Sequence, residues 1–274
     1  MTLAAALQAL RPDTVERACA GDRSALQELV SAMQGPFYNL ALRMLGDKSL
    51  AEDATQECLL RVVTHLSQYR SEAKLGTWAT RIAVNAILDF KSGVARNARV
   101  RFDEFAEGLA NGRDPSAPER PEDAVLLKEL KTLCGRALLH CLDGDHRVAF
   151  VLGEILEFEA EDAAEILGLE PATWRKRLSR ARAELTAFLT RECSVHTPGG
   201  ACACHHRLGR ALQIGRVDPS KLEVRIGDLA VLRRRLAVLD NESRTRAIYQ
   251  ADEMPDLRAD VLESVRTAIF ELAS

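Results

Sequence analysis

Residues Glu161–Leu189 read E-D-A-A-E-I-L-G-L-E-P-A-T-W-R-K-R-L-S-R-A-R-A-E-L-T-A-F-L. A short helix over about Glu161–Leu167 stops at Gly168, because glycine tolerates the left-handed conformation that ends many helices. Pro171 suits the first turn of a second helix, where its missing N–H removes no helical bond. Two helices across a tight glycine turn are the sequence form of a helix-turn-helix. In the second helix Trp174, Leu178, Ala181 and Leu185 repeat at i, i+4, i+7 and i+11, which is one buried stripe. The remaining face carries Arg175, Lys176, Ser179, Arg180 and Arg182. Four arginines and one lysine fall between Trp174 and Ala183 with no acid among them. A merely solvated helix face mixes signs to gain i,i+4 pairs, so this one reads as a major-groove face, with cations for phosphates and arginine forks for base edges.

The basic helix sits in a chain of 274 residues whose net charge is −3. That sum hides an uneven spread: residues 170–191 hold six basic and two acidic side chains, whereas residues 103–129 hold eight acidic and three basic. The local patch, not the overall balance, bears on nucleic-acid binding. Few aromatics and abundant Ala, Leu, Arg and Glu favour helix. No stretch approaches the roughly 20 apolar residues of a membrane span, and the N-terminus lacks the basic-then-apolar pattern of a signal peptide. Seven cysteines are too few for a secreted disulfide framework in a chain of this size. Cys19, Cys58, Cys134 and Cys141 fall in helical patterns and read as small core residues. A cytoplasmic protein with reduced thiols and no membrane partner is expected.

Upstream of the basic helix the expectation is all-α: two small helical domains joined by a flexible acidic linker, then a small, mostly helical appendage. The first domain spans 1–102. Asp22 caps a helix carrying Leu26, Leu29, Val30 and Met33, expected to break at Gly35-Pro36; the next runs from Phe37 to Leu45. Ala51–Leu66 buries Ala54, Cys58, Leu59, Val62 and Leu66 and leaves Asp53, Gln56, Glu57 and Arg61 on a polar surface. A polar loop from Tyr69 to Gly76 then leads to a helix with Trp78, Ile82, Ala83, Ala86 and Phe90 inside, and Arg81, Asn85, Asp89 and Lys91 elsewhere. Trp78 is expected in the core. A polar loop beside an Asn and flanking cations suits an unstacked base and its backbone. Residues 103–124, with three prolines, two glycines and many acids, read as an extended, mobile linker. Residues 125–191 form a second domain of four helices that ends in the helix-turn-helix.

Residues 192–274 open with C-S-V-H-T-P-G-G-A-C-A-C-H-H over Cys193–His206. Cys193, Cys202 and Cys204, with His196, His205 and His206, offer soft ligands for a tetrahedral ion, zinc by default and Cu(I) as a second choice. The spacing departs from paired C-x-x-C, so unligated cytosolic thiols and redox-sensing thiols stand as competing readings. Beyond it, Lys221–Ile226 alternates like a short strand. Leu229, Leu232, Leu236 and Leu239 mark one helix, and Val261, Leu262, Val265 and Ile269 another. The appendage is expected to pack on the second domain or on the linker.

In order, G-D-x-x-A (from Gly21), A-L-R-M-L-G (from Ala41), A-E-D-A-T-Q-E (from Ala51), T-W-x-x-R-I-A-x-N-x-x-x-D (from Thr77), R-V-A-F-x-L (from Arg147) and E-I-L-G-L-x-x-x-T-W-R-K-R-L-S-R-A-R (from Glu165) resemble the extracytoplasmic-function (ECF) sigma factors of bacterial RNA polymerase. The resemblance covers about residues 13–190. It implies that residues 1–102 are sigma region 2, with Asp53, Gln56 and Glu57 docking on core polymerase. It implies that Tyr69, Arg70, Ser71, Lys74 and Asn85 capture a flipped base of the −10 element, and that Arg81, Lys91 and Arg96 hold its strand. Region 4 (125–191) would read the −35 element with Arg175, Lys176, Ser179 and Arg180. Core polymerase and promoter DNA are the implied partners, an anti-sigma factor is a further candidate, no cofactor is required, and the protein is not an enzyme. Some members also carry a cysteine-rich C-terminal regulatory extension. The chain departs from the family at Leu142-Asp143, where Leu-Pro is usual, at Glu157 and Glu159, where Gly and Ser are usual, and at Glu170, where Ser is usual. Trp174 replaces a small β-branched residue. A one-component metal- or redox-responsive repressor is the alternative; its weakness is the −10 loop, for which a repressor has no use.

Overall fold

The computed structural model describes residues 3–8, 10–70, 72–94, 100–222 and 229–252, with positions 257, 261, 263, 264 and 267. It is all-α. In chain order the helices are α1 (Leu3–Gln8), α2 (Thr14–Cys19), α3 (Arg23–Leu45), α4 (Lys48–His65), α5 (Leu75–Val94), α6 (Phe102–Ala110), α7 (Ala124–Leu139), α8 (Gly144–Phe150), α9 (Ala160–Leu167), α10 (Pro171–Glu192), α11 (Cys204–Gln213), α12 (Leu229–Leu236) and α13 (Asn241–Gln250). None among the described residues is long and apolar enough to cross a membrane. The strand expected over Lys221–Ile226 and the helix expected through Val261–Ile269 lie largely outside the described residues.

The helices gather into two compact units, residues 1–97, 151–175 and 256–274 in one, and residues 98–150 and 176–255 in the other. In the first, α3, α4 and α5 pack in sequence and α9 lies against α5. The Asp22 carboxylate caps α3 by accepting from the amides of Ser24 and Ala25 at 2.8 and 3.1 Å. The break expected at Gly35-Pro36 does not occur: α3 runs straight through Pro36. A proline inside a helix costs about 3 kcal/mol. Here Leu29, Met33, Phe37, Leu40, Ala41 and Met44, on both sides of it, are all at most 1% exposed. Burial at ~1.5–3 kcal/mol per large side chain outweighs the missing bond. The stripe of α4 is buried as expected, and the Asp47 carboxylate caps it through the Leu50 amide at 2.9 Å. Of the four cysteines assigned to the core, Cys58 and Cys141 are buried, Cys134 is half-buried and Cys19 is exposed.

In the second unit, α7 is the central helix, with α11, α12 and α13 of the C-terminal segment against it. Lys131 and Phe150 are among the side chains that fasten that segment. Lys131 of α7 donates to the Ile248 carbonyl and pairs with Asp252, whose Oδ1 also accepts from the Thr132 hydroxyl at 3.0 Å. Tyr249 meets Phe150 edge-on, with ring centroids 5.2 Å apart. At the corner between α7 and α8, the buried Arg147 guanidinium donates to the carbonyls of Leu139, His140 and Leu142 at 2.9, 3.3 and 3.1 Å.

The linker expectation needs correction. Its first half is the helix α6, started by Glu104, whose carboxylate accepts from the Arg101 amide at 3.0 Å. Phe102 and Phe105 place their rings 5.6 and 5.7 Å from that of Phe188 on α10. Phe102, Phe105 and Leu109 form an i, i+3, i+7 stripe, and this apolar anchor outweighs the helix-breaking effect of the surrounding acids, prolines and glycines.

Candidate nucleic-acid interface

The helix-turn-helix forms as its residues dictate. Gly168 ends α9 at φ 63°, the Leu169 amide reaches back to the Ala164 carbonyl at 2.9 Å, and α10 begins at Pro171. Glu159, at the α9 N-cap, makes no side-chain cap bond. Glu157 stands at φ 59°, the one described non-glycine residue with positive φ. This is why glycine is usual there: the left-handed conformation costs a side-chain-bearing residue about 1–2 kcal/mol.

Along α10 the two faces separate as expected. Trp174, Leu178, Ala181 and Leu185 are 4%, 5%, 0% and 0% exposed, whereas Arg175, Lys176, Ser179 and Arg180 are all exposed. The Trp174 indole N–H is buried and has no hydrogen-bond partner among the described residues. Neighbouring acids aim part of the basic face: Arg175 bonds Glu161 of α9 at 2.8 Å and Arg177 bonds Asp145 at 2.9 Å.

In the first unit, Asp53 is exposed, and Gln56 and Glu57 are half-buried. All three line one shallow depression with Leu60, Arg61, Asp89 and Phe90. Arg61 links its two sides, bonding Glu57 at 2.6 Å and Asp89 at 3.0 Å. Arg81 and Asn85 are exposed one turn apart on α5. Ser71 and Arg96 lie outside the described residues, as does the side chain of Lys91. The 69–74 loop is closed by the Tyr69 hydroxyl, which donates to the Ala73 carbonyl at 2.9 Å; Arg70 is exposed beside it. Trp78 is half-buried, not a core residue: its ring lies 5.3 Å from that of Tyr69, tilted by 50°. Sequence reading missed this aromatic pair; the signal was a tyrosine nine positions upstream, across the loop. Lys74 does not stand free. Its ammonium donates to Asp162 of α9 at 2.7 Å, and the Thr77 hydroxyl donates to the same carboxylate at 3.2 Å. The bond to Asp162 raises the Lys74 pKa.

The ligand set expected in the C-terminal segment does not assemble. Cys193 and Cys202 face each other in an isolated parallel bridge, and with Cys204 and Cys134 they line a small apolar cavity closed by Leu138, Phe188 and Tyr249. The histidines are elsewhere. The His196 Nε2 faces the Asn241 carbonyl and Thr245 Oγ1, both at 3.1 Å, while His205 and His206 meet edge to face with ring centroids 4.2 Å apart. Among the described residues no three His, Cys, Asp or Glu side chains are grouped so that they could hold a metal ion. Burial pushes the Cys134 thiol up to about 12 and the Cys202 thiol up to about 11, and raises Cys193 and Cys204 as well.

Comparison with known proteins agrees with the motif order. Residues 29–97 match the model of Sigma-70 region 2, and residues 134–185 match that of Sigma-70, region 4. The chain is 30% identical over 173 residues to the ECF RNA polymerase sigma factor SigW of Bacillus subtilis, which covers 60% of this chain and 89% of that protein. It is 31% identical over 175 residues to the RNA polymerase sigma-H factor of Pseudomonas aeruginosa (61% of this chain, 88% of that one). It is also 31% identical over 179 residues to the ECF RNA polymerase sigma factor SigE of Mycolicibacterium smegmatis (64% and 66%). With both region models matched in order and the helix-turn-helix formed by the expected residues, the chain belongs to the ECF sigma factor family.

Proposed function

We propose that this sigma factor binds core RNA polymerase through the Asp53, Gln56 and Glu57 surface and brings it to promoters by a two-point grip. In this reading α10 enters the major groove of the −35 element with Arg175, Lys176, Ser179 and Arg180. The loop from Tyr69 to Lys74, with Arg81 and Asn85, takes an unstacked base of the −10 element. Melting follows from differential binding: a pocket that holds an extruded base lowers the cost of opening the duplex. The chain itself makes and breaks no bond. The observation that carries the proposal is the clean division of α10 into a buried apolar stripe and an exposed basic face. The pairing of Lys74 with Asp162 adds that the free chain has its −10 loop engaged by the first helix of its own helix-turn-helix, which fits a protein that reads DNA only once polymerase has separated the two.

Reconstitution with core polymerase tests it. Run-off transcription should require this chain. Lys176→Ala should weaken binding at the −35 element and lower the slope of log affinity against log salt by about 1. Asn85→Ala should spare duplex binding by the holoenzyme and reduce permanganate reactivity of the −10 bases. Tight binding to an isolated duplex without core, with no transcription on adding core, would instead identify a repressor.

A further inference from the structure

The second half of the linker is held to the C-terminal extension at both its ends. The Asp114 amide donates to the His206 carbonyl at 2.8 Å. Arg207 donates to the Asn111 carbonyl, and Arg113 donates to the Ala201 carbonyl. Arg207 is 8% exposed, so its bond is shielded from water. Between them Gly112 has φ +69°, and a Cβ built on it would lie 2.8 Å from Cγ of Arg210. A side chain at position 112 would therefore be strained by the backbone angle and would have to push the Arg210 side chain of α11 aside. At the far end Glu119 pairs with Arg233 of α12 at 2.6 Å, and His205 Nδ1 lies 3.7 Å away. The turn at 114–117 is locked by Asp114, whose carboxylate accepts from the Ser116 amide at 2.9 Å.

We propose that the C-terminal extension is an intramolecular latch for the linker. The surface made by Ala201–Arg210 and Arg233 binds residues 111–119 of the same chain and keeps the linker folded until core polymerase draws it out. The inference rests on the sigma factor reading, which gives the linker a distance to span. At roughly 3.4 Å per base pair, elements at −10 and −35 lie on the order of 85 Å apart. Residues 111–123 contribute up to about 45 Å to that span only when fully extended. Latched at Asn111, Asp114 and Glu119, they cannot extend. Donors face acceptors at each point of the contact: the linker donates from Arg113 and the Asp114 amide, and the extension donates from Arg207 and Arg233.

Hydrogen exchange on the full chain tests the latch, and affinity for core polymerase tests its purpose. In the free wild-type chain the Asp114 amide should exchange at least tenfold more slowly than an unprotected amide. Gly112→Val, which cannot adopt the backbone angle and collides with Arg210, should remove that protection while leaving the amides of α7 unchanged. Glu119→Arg and Arg233→Glu should each speed exchange across 114–120, and the two together should restore protection. The released variants should bind core polymerase at least threefold more tightly than wild type, and the charge-swapped double variant should return to the wild-type value. An unprotected Asp114 amide in the wild-type chain, or released variants whose affinity for core is unchanged, would overturn the latch. If no variant, wild type included, binds core, the sigma factor reading falls, and the exchange data alone judge whether the extension holds the linker.

Discussion

Replacing Asp252 by Ala removes one member of an ion pair whose side chains are 5% and 3% exposed. It leaves the Lys131 ammonium buried with only the Ile248 carbonyl of the contacts described above, and the Thr132 hydroxyl without its acceptor. Breaking a buried pair from one side costs about 3–5 kcal/mol, because the surviving charge is uncompensated, whereas replacing both partners by apolar groups is often close to neutral. Asp252→Ala and Lys131→Met should each therefore cost about 3–5 kcal/mol. The double variant should cost much less than their sum, with a coupling of several kcal/mol. The two compact units need not unfold together, so a global melt is a poor assay. Urea-dependent hydrogen exchange of the peptide containing Ile248 and Tyr249 reports the right unit. A single-variant cost below about 1 kcal/mol would refute the reasoning, as would a double variant as unstable as the two singles added. Either result would mean that Lys131 reaches water and that its ion pair does little to fasten the extension.

Other consequences are open to simpler measurement. Glu157→Gly should stabilise the turn before α9 by about 0.5–1 kcal/mol, since relief of the left-handed strain exceeds the added freedom of glycine in the unfolded chain; chemical denaturation would show it. Asp162→Asn should raise the rate of amine labelling at Lys74 severalfold yet leave chemical denaturation nearly unchanged, as expected of a pair with a largely exposed lysine. Burial lowers the His196 pKa, so the unfolded chain takes up a proton that the folded chain resists. Stability from this group is fully present above about pH 6.5 and is lost as pH falls below that, with a slope of at most about 1.4 kcal/mol per pH unit. His196→Gln should flatten the stability profile between pH 7 and pH 5.

What was legible in the sequence was what repeats or punctuates locally. The stripe of α10, the Gly168 stop, the Pro171 start and the Asp22 cap each depend on residues a turn or so apart, and each formed as read. What was not legible depends on partners far along the chain. Pro36 looks like a break until the burial of Met33 and Phe37 is known. α6 looks like linker until Phe188, more than eighty positions later, receives its two phenylalanines. Trp78 looks like core until Tyr69 folds back across the loop. The cysteine-rich stretch reads as a ligand set because Cys193, Cys202 and Cys204 share it with His196, His205 and His206. In space the histidines turn to Asn241, Thr245 and each other, and the fourth thiol comes instead from α7.

The four-thiol cavity gives the protein an internal clock. Thiols held protonated against leucine and phenylalanine walls react only in the moments when the structure parts. Their alkylation rate therefore measures how often α7 and the extension separate, without any introduced label. Cys204 and Cys134 lie on opposite sides of that seam, so a mild alkylating reagent read by mass would time its opening in the free chain, in holoenzyme and in every variant named above. Cys19, exposed on α2, serves as the built-in control for reagent strength.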